Sequence, residues 1–465
     1  MLALSGGSAL AATPTWALVS SPNVLGTPQD NYRNSVNCVG ITFCMAVGQH
    51  PRTSSDKTLI QKWNGTSWAT VSSPDPGAGS DLNAVSCTST SFCMAVGSYG
   101  TGTTSPTLVE KWNGSKWTKL TSPNPGTPGR NGLDGVSCAS ATSCVAVGSS
   151  FVNTTGTPLA EKWNGTSWKL TTLPDDTLQS SELDAVSCVS ATFCLAVGSG
   201  HTGTSQGSFA EKWNGTTWTL VTYQEPAGTA DFLAGVSCTS TTFCMAVGSS
   251  SDGVNPGQTL TAKWNGTSWK AVSSPDTSPA QANQLNAVSC TSSTFCTAVG
   301  QYDNGSNYSQ TLAQKWNGTS WATVSSSSSQ GTDLNEVSCV SASFCMAVGS
   351  YYNGTASQSL TEKWNGSKWA KVTAADTSPT AANDLSWVSC TSATFCLAVG
   401  LAGATSQRVT LAQKWNGTSW TLVTSPDKGT ANNELNGVSC ASSAFCMGAG
   451  DYTAASLDRT LIEKW

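Results

Sequence analysis

Apolar residues in this chain come in short runs, cut by stretches of Ser, Thr, Gly, Asn and Pro, the pattern of brief β-strands and turns. The most regular pair of runs meets in Lys62-Trp63-Asn64-Gly65-Thr66-Ser67-Trp68. It returns as Lys111 to Trp117, Lys162 to Trp168, Lys212 to Trp218, Lys263 to Trp269, Lys315 to Trp321, Lys363 to Trp369 and Lys414 to Trp420. An Asn-Gly pair between apolar runs predicts a tight hairpin in which both turn residues adopt positive φ. Side chains alternate along a strand, so both tryptophans fall on one face of that hairpin. One thin sheet cannot bury such a pair. It must stack on a neighbour.

One repeat unit resolves into four strands. Strand a is Leu82 to Cys87, and a Ser/Thr turn leads to strand b, Phe92 to Gly97. A variable loop leads to strand c, Thr107 to Trp112, and Asn-Gly joins it to strand d, Trp117 to Leu120. The unit recurs every 49 to 52 residues without a linker or a shift in composition. Four strands per fifty residues is the signature of a β-propeller blade. The expected fold is therefore all-β, a single closed nine-bladed propeller spanning 12–465. The chain opens on a strand-d sequence, Thr15-Trp16-Ala17-Leu18, and stops on a strand-c sequence, Leu461 to Trp465. If the first completes the blade begun by the second, the ring closes with no unpaired edge.

Eighteen cysteines fall into nine pairs, each with five residues between its members, such as Cys87 and Cys93. A hairpin folding about Thr90 sets the two opposite each other, which predicts nine short disulfides and an oxidising compartment. Only His50 and His201 are available to complete a zinc site, so the thiols are not read as metal ligands. Residues 1–11, ending in Ala9-Leu10-Ala11, resemble a secretory leader without its basic start. A secreted, extracellular, monomeric protein is expected. At 11% charged residues and a net charge of −5, no basic stripe for nucleic acid exists. No apolar run reaches the length of a membrane helix.

A blade reading Leu-x-x-Val-Ser-Cys, Cys-x-Ala-Val-Gly and Asn-Gly-Thr-Ser-Trp resembles the repeats of secreted bacterial propellers of the BNR, or Asp-box, type. Sialidases and photosystem-assembly factors carry such repeats. Here Asn64-Gly65-Thr66-Ser67-Trp68 keeps the Gly and Trp of the box, while Trp63 stands where the family has an acid. Kelch propellers match less well, because their Gly-Gly pair is absent. The resemblance implies the architecture and leaves the activity open.

Chemistry is expected where the repeats differ, namely the b–c and d–a loops of one face. All five arginines lie in or beside them: Arg33 and Arg130 in d–a connections, Arg52, Arg408 and Arg459 in b–c connections. Tyr351, Tyr352 and Tyr452 join them. Within strand a, the position before the repeated Val is small in most units and becomes Glu336 and Trp387 in units 7 and 8. An aromatic face beside a carboxylate suits a sugar or a peptide, although a bulky residue can also simply fill a wide channel. The preceding ring of Asn34, Asp134, Asp184, Asn286, Asn335 and Asn436 either faces a cation or bonds local backbone. The candidate ligand-binding set is thus Glu336, Trp387, Arg33, Arg52, Arg408, Arg459, Tyr351, Tyr352 and Tyr452, with no metal and no cofactor. The favoured reading is a non-catalytic binder of an extracellular glycan or protein. A sialidase-like hydrolase using the arginine cluster, and a purely structural surface scaffold, are the alternatives.

Overall fold

A computed structural model describes residues 17–18, 32–50, 55–77, 79–100, 104–125, 129–152, 155–174, 180–202, 205–221, 230–251, 256–277, 280–305, 308–326, 331–404, 407–427, 432–454 and 457–465. They form nine antiparallel four-stranded sheets, arranged as the blades of a ring. Blade 2 shows the plan: strand a is Asp81–Ser89, b is Phe92–Ser98, c is Thr107–Trp112 and d is Trp117–Leu120. The last blade draws on both ends of the chain. Ala17–Leu18 lies antiparallel on Leu457–Lys464, with Ala17 opposite Lys464 and Leu18 opposite Glu463. Trp16, the expected partner of Trp465, and the leader-like residues 1–11 lie outside the described residues.

The c–d hairpin is wider than the expected two-residue turn. Trp63 pairs directly with Trp68, so residues 64 to 67 all belong to the loop. The reason is the Asn64 carboxamide, whose Oδ1 accepts the N–H of Thr66 at 2.9 Å, its hydroxyl at 2.8 Å and the N–H of Ser67 at 2.8 Å. A side chain thus supplies the acceptor that a tighter backbone turn would have provided, and Gly65 takes a φ of 97° that a residue without a Cβ adopts freely. The paired tryptophans sit with ring centroids 5.8 Å apart, on one face as expected. Each a–b hairpin is closed by its disulfide: Cys87 faces Cys93 across the ladder with Cα atoms 4.0 Å apart, and all nine pairs form this way with no free cysteine.

Neighbouring blades meet in two zones. The outer zone is a wheel of lysines and tryptophans. Lys62 lies 5.4 Å from the Trp112 ring of the next blade, Lys212 is 5.4 Å from Trp264, and Lys464 is 5.3 Å from Trp63. Each blade contributes one such contact, and the last returns to the first, where Lys464 also donates to the Gly65 carbonyl at 3.1 Å. The lysine therefore stands over its neighbour's ring rather than its own. Each strand-c indole is oriented by donating to the a–b turn of its own blade, Trp112 to the Thr90 carbonyl at 3.0 Å for example.

The inner zone joins the channel-lining a strands. The serine of one Val-Ser-Cys accepts the N–H of the cysteine in the next, as in Cys138 to Ser86 at 3.0 Å and Cys390 to Ser338 at 3.0 Å. Seven interfaces carry this stitch, with Asn37 replacing serine at the first. Among the described residues, none joins blade 4 to blade 5 or blade 9 to blade 1. Val236, at the first of these seams, is 62% exposed, while its counterpart Val136 in blade 3 is 8% exposed. At the second, Val36 is likewise exposed. There Arg33 occupies the ladder position that leucine holds elsewhere, opposite Gly48 as Leu82 is opposite Gly97, and Ala449 stands where other blades have valine. Both changes remove apolar surface that the interface would bury.

Candidate functional site

The a strands end their regular pairing in a bulge just after the repeated leucine, between Leu82 and Ala84 in blade 2 and between Leu334 and Glu336 in blade 7. A bulge re-aims the side chain of the extra residue. Here it turns an asparagine toward the next blade: Asn34 donates to the Leu82 carbonyl at 3.0 Å, Asn83 to Leu133 at 3.1 Å, Asn286 to Leu334 at 2.9 Å and Asn335 to Leu385 at 3.0 Å. Three members of the Asn/Asp ring, Asn34, Asn286 and Asn335, are thus a blade-to-blade clasp, while Asn436 donates to Asp451 of its own blade at 3.0 Å. These three bond backbone, as one of the two readings held, but the backbone of a neighbour. The aspartates at this position cannot donate; Asp134 accepts from Asn83 at 3.1 Å. Burial, followed by the nearby Glu182, Asp184 and Asp81 carboxylates, pushes it up to about 6.

The clasp brings Glu336 and Trp387 together. Asn335 binds the Leu385 carbonyl on one side of the pair, and Cys390 binds Ser338 on the other. Between these two bonds Glu336 and Trp387 occupy equivalent slots of adjacent inner strands. In blades 3 and 5 this slot is tight, since a Cβ on Gly135 would meet the Ala185 Cα at 3.1 Å and one on Gly235 the Ala287 Cα at 3.2 Å, whereas Gly437 in blade 9 faces open space. Trp387 keeps 43% of its surface exposed, whereas the paired tryptophans of the blades are buried or nearly so. Glu336 is half-buried, its Oε1 accepts the Val337 N–H at 3.0 Å, and burial pushes its carboxyl up to about 7.

The remaining candidates are distributed unevenly. Arg408 is held in the interface of blades 8 and 9: its side chain pairs with Glu434 at 3.3 Å, and its N–H binds Asn432 Oδ1 at 3.0 Å. Tyr351 is partly buried, with the Lys371 ammonium 3.5 Å above its ring. Tyr352 is exposed and donates its hydroxyl to the Gly354 carbonyl at 3.0 Å. Tyr452 is 4% exposed and packs in the core of the last interface beside Leu435 and Leu461. Arg33 lies within strand a of blade 1, and Arg459 lies in strand c of blade 9 opposite Tyr452. The side chains of both, and the whole of Arg52, lie outside the described residues.

Sequence reasoning missed the charge sorting of the ring. The a strands carry nine carboxylates, two arginines and no lysine, whereas sixteen of the seventeen lysines lie on c strands, d strands and the hairpins joining them. The channel wall is acidic and the periphery basic. Counting charge by strand rather than by chain reveals this, and a net charge of −5 conceals it. Several of these carboxylates are engaged locally: Asp81 accepts the Ser98 N–H at 2.9 Å, and Asp384 accepts the Ser357 hydroxyl. Among the described residues no group of three or more His, Cys, Asp or Glu is placed to hold a metal ion, and no helix is long and apolar enough to cross a membrane.

No family model matches the sequence, and no curated protein matches it. Solved structures with similar folds include YCF48 bound to a D1 peptide, at 11% identity and a TM-score of 0.34 over 74% of this chain and 92% of that one. The GH74 xyloglucanase of Xanthomonas campestris matches at 11% and 0.34, over 94% of this chain and 73% of the other. A PL25 ulvan lyase matches at 8% and 0.36, over 71% and 92%. Likenesses this loose transfer neither a site nor an activity.

Proposed function

We propose that this propeller is a secreted, non-catalytic binder that takes a glycan or a peptide segment at the variable mouth of its channel. The observation that carries the reading is Trp387: an exposed indole on a channel wall whose other blades keep small residues, set beside the half-buried Glu336. The indole offers a flat surface for C–H groups or a cation, and the carboxyl accepts a hydroxyl or amine donor. The acidic wall favours a ligand rich in donors or positive charge and disfavours an anionic one. Nine disulfides fit an extracellular setting. The arginine-cluster reading of a sialidase-like site is less well supported, because Arg408 is already neutralised by Glu434.

The test begins with immobilised glycan and cell-wall peptide panels screened against the intact protein. For the ligand so found, Trp387→Ala weakens binding by more than about 1 kcal/mol and leaves the melting temperature nearly unchanged. Glu336→Gln weakens ligands that bring an amine more than those that bring a hydroxyl. Undiminished affinity with a lowered melting temperature makes Trp387 a packing residue and ends the proposal.

A further inference from the structure

Strand c carries, two residues before its tryptophan, a position that is sealed inside the interface with the preceding blade. Five blades place glutamate there: Glu110, Glu161, Glu211, Glu362 and Glu463, each 0% exposed. Three place glutamine: Gln61, Gln314 and Gln413, also 0% exposed. Blade 5 has Ala262. Glutamine matches a protonated carboxyl in shape and charge, so the interchange itself says which form of glutamate the interface accommodates.

The surroundings agree. Glu110 receives a single hydroxyl from the preceding blade, Ser73, at 3.0 and 2.9 Å from its two oxygens, and Ser73 in turn accepts from Thr58 at 2.9 Å. Glu161 is met by Ser122 at 2.8 Å to each oxygen, and Glu463 by Ser425 at 2.6 Å. One hydroxyl is a poor substitute for the several donors an ionised carboxylate needs. Among the described residues, the second oxygen of Glu463 has no partner.

Cations are near but committed elsewhere. Lys119 is directly opposite Glu110 in the ladder, yet its ammonium sits 3.9 Å above the Tyr99 ring. Lys371, opposite Glu362, sits above Tyr351, and burial lowers its own affinity for the proton. Lys57 pairs with Asp75. The other charges facing these groups are carboxylates: Asp75 near Glu110, Asp376 near Lys371 and Asp427 near Glu463. Among the described residues, Glu161 is met by Ser122 and by no charged group.

We propose that the interface carboxyls of Glu110, Glu161 and Glu463 are a built-in pH device, in which the ring is tightest when they carry a proton and loosens blade from blade as they ionise. Burial, opposed only in part by the serine hydroxyls and, at Glu110, by the more distant charge of Lys119, pushes Glu110 and Glu161 up to about 8 and Glu463 up to about 7. The folded values lie above the unfolded one, near 4.5. Their contribution is therefore full below about pH 4.5, declines through neutrality and is gone once the pH passes about 8. The device is independent of the ligand proposed above.

The experiment is thermal unfolding of the full disulfide-bonded chain at pH 5, 7 and 9, comparing wild type with a Glu110→Gln/Glu161→Gln variant. Wild type should melt progressively lower as the pH rises. The variant should keep the acid melting temperature and lose a large part of the fall. Parallel pH curves for the two proteins, or a wild type that gains stability with pH, overturn the proposal. Infrared spectroscopy of the folded wild type at pH 6 supplies an independent readout: a protonated-carboxyl stretch that weakens in Glu110→Gln alone supports the device, and its absence sinks it.

Discussion

The interface between blades 2 and 3 and the interface between blades 4 and 5 are built from nearly the same words. Both stack a lysine on the next blade's tryptophan, Lys111 on Trp163 at 5.3 Å and Lys212 on Trp264 at 5.4 Å. At the channel side they part. The first is stitched from Ser86 to Cys138 and buries Val136; the second has neither feature, and Val236 faces solvent. The buried polar position is Glu161 at the first and Ala262 at the second. Outer wheel and inner stitches are thus separable. The wheel runs unbroken round the ring, and the stitches grade the tightness of each seam.

This separation is open to direct attack. The largest effect is expected in the wheel: Trp163→Ala and Trp264→Ala should each cost about 3–5 kcal/mol, read by chemical denaturation. A much cheaper Trp264→Ala would show that the seam between blades 4 and 5 is loose throughout, and not only inside. Next come the inner valines. Val136→Ala should cost about 1.5 kcal/mol for two buried methyl groups, while Val236→Ala should stay within about 0.5 kcal/mol. Equal costs would mean that the seam is closed in solution. The smallest contrast is Ser86→Ala against Ser187→Ala, about 1 kcal/mol against nearly none. Hydrogen exchange sharpens it without mutation, because the Cys138 amide should be protected and the Cys238 amide should exchange readily.

The candidate site was legible only in part. Glu336 and Trp387 stood out because they break a repeat, and a repeat makes every departure visible. Their adjacency followed from the clasp of Asn335 on Leu385, a contact between residues fifty positions apart. Tyr452 and Tyr352 were read alike in sequence, each near the end of a strand b, yet one is buried and the other exposed. Pairing register separates them: Tyr452 stands opposite Asn433 as Tyr351 stands opposite Thr332, so it shares the inward slot of Tyr351, while Tyr352 is one residue further and falls on the other face. Arg408 showed the same gap, because its partner Glu434 comes from the following blade.

Strand number, repeat length, the nine disulfides and completion of the last blade by Ala17–Leu18 were all determined by sequence alone. Each depends on residues a few positions apart or on a motif counted nine times, and hairpin geometry needs nothing more distant. What only the tertiary structure decided is which residue faces which across the gaps between blades. There Lys62 chooses Trp112, and Glu110 is closed in with a single serine. Among the described residues, two seams of nine stay unstitched. Those outcomes depend on how separately formed sheets share limited apolar surface and a few donors, which no single repeat contains.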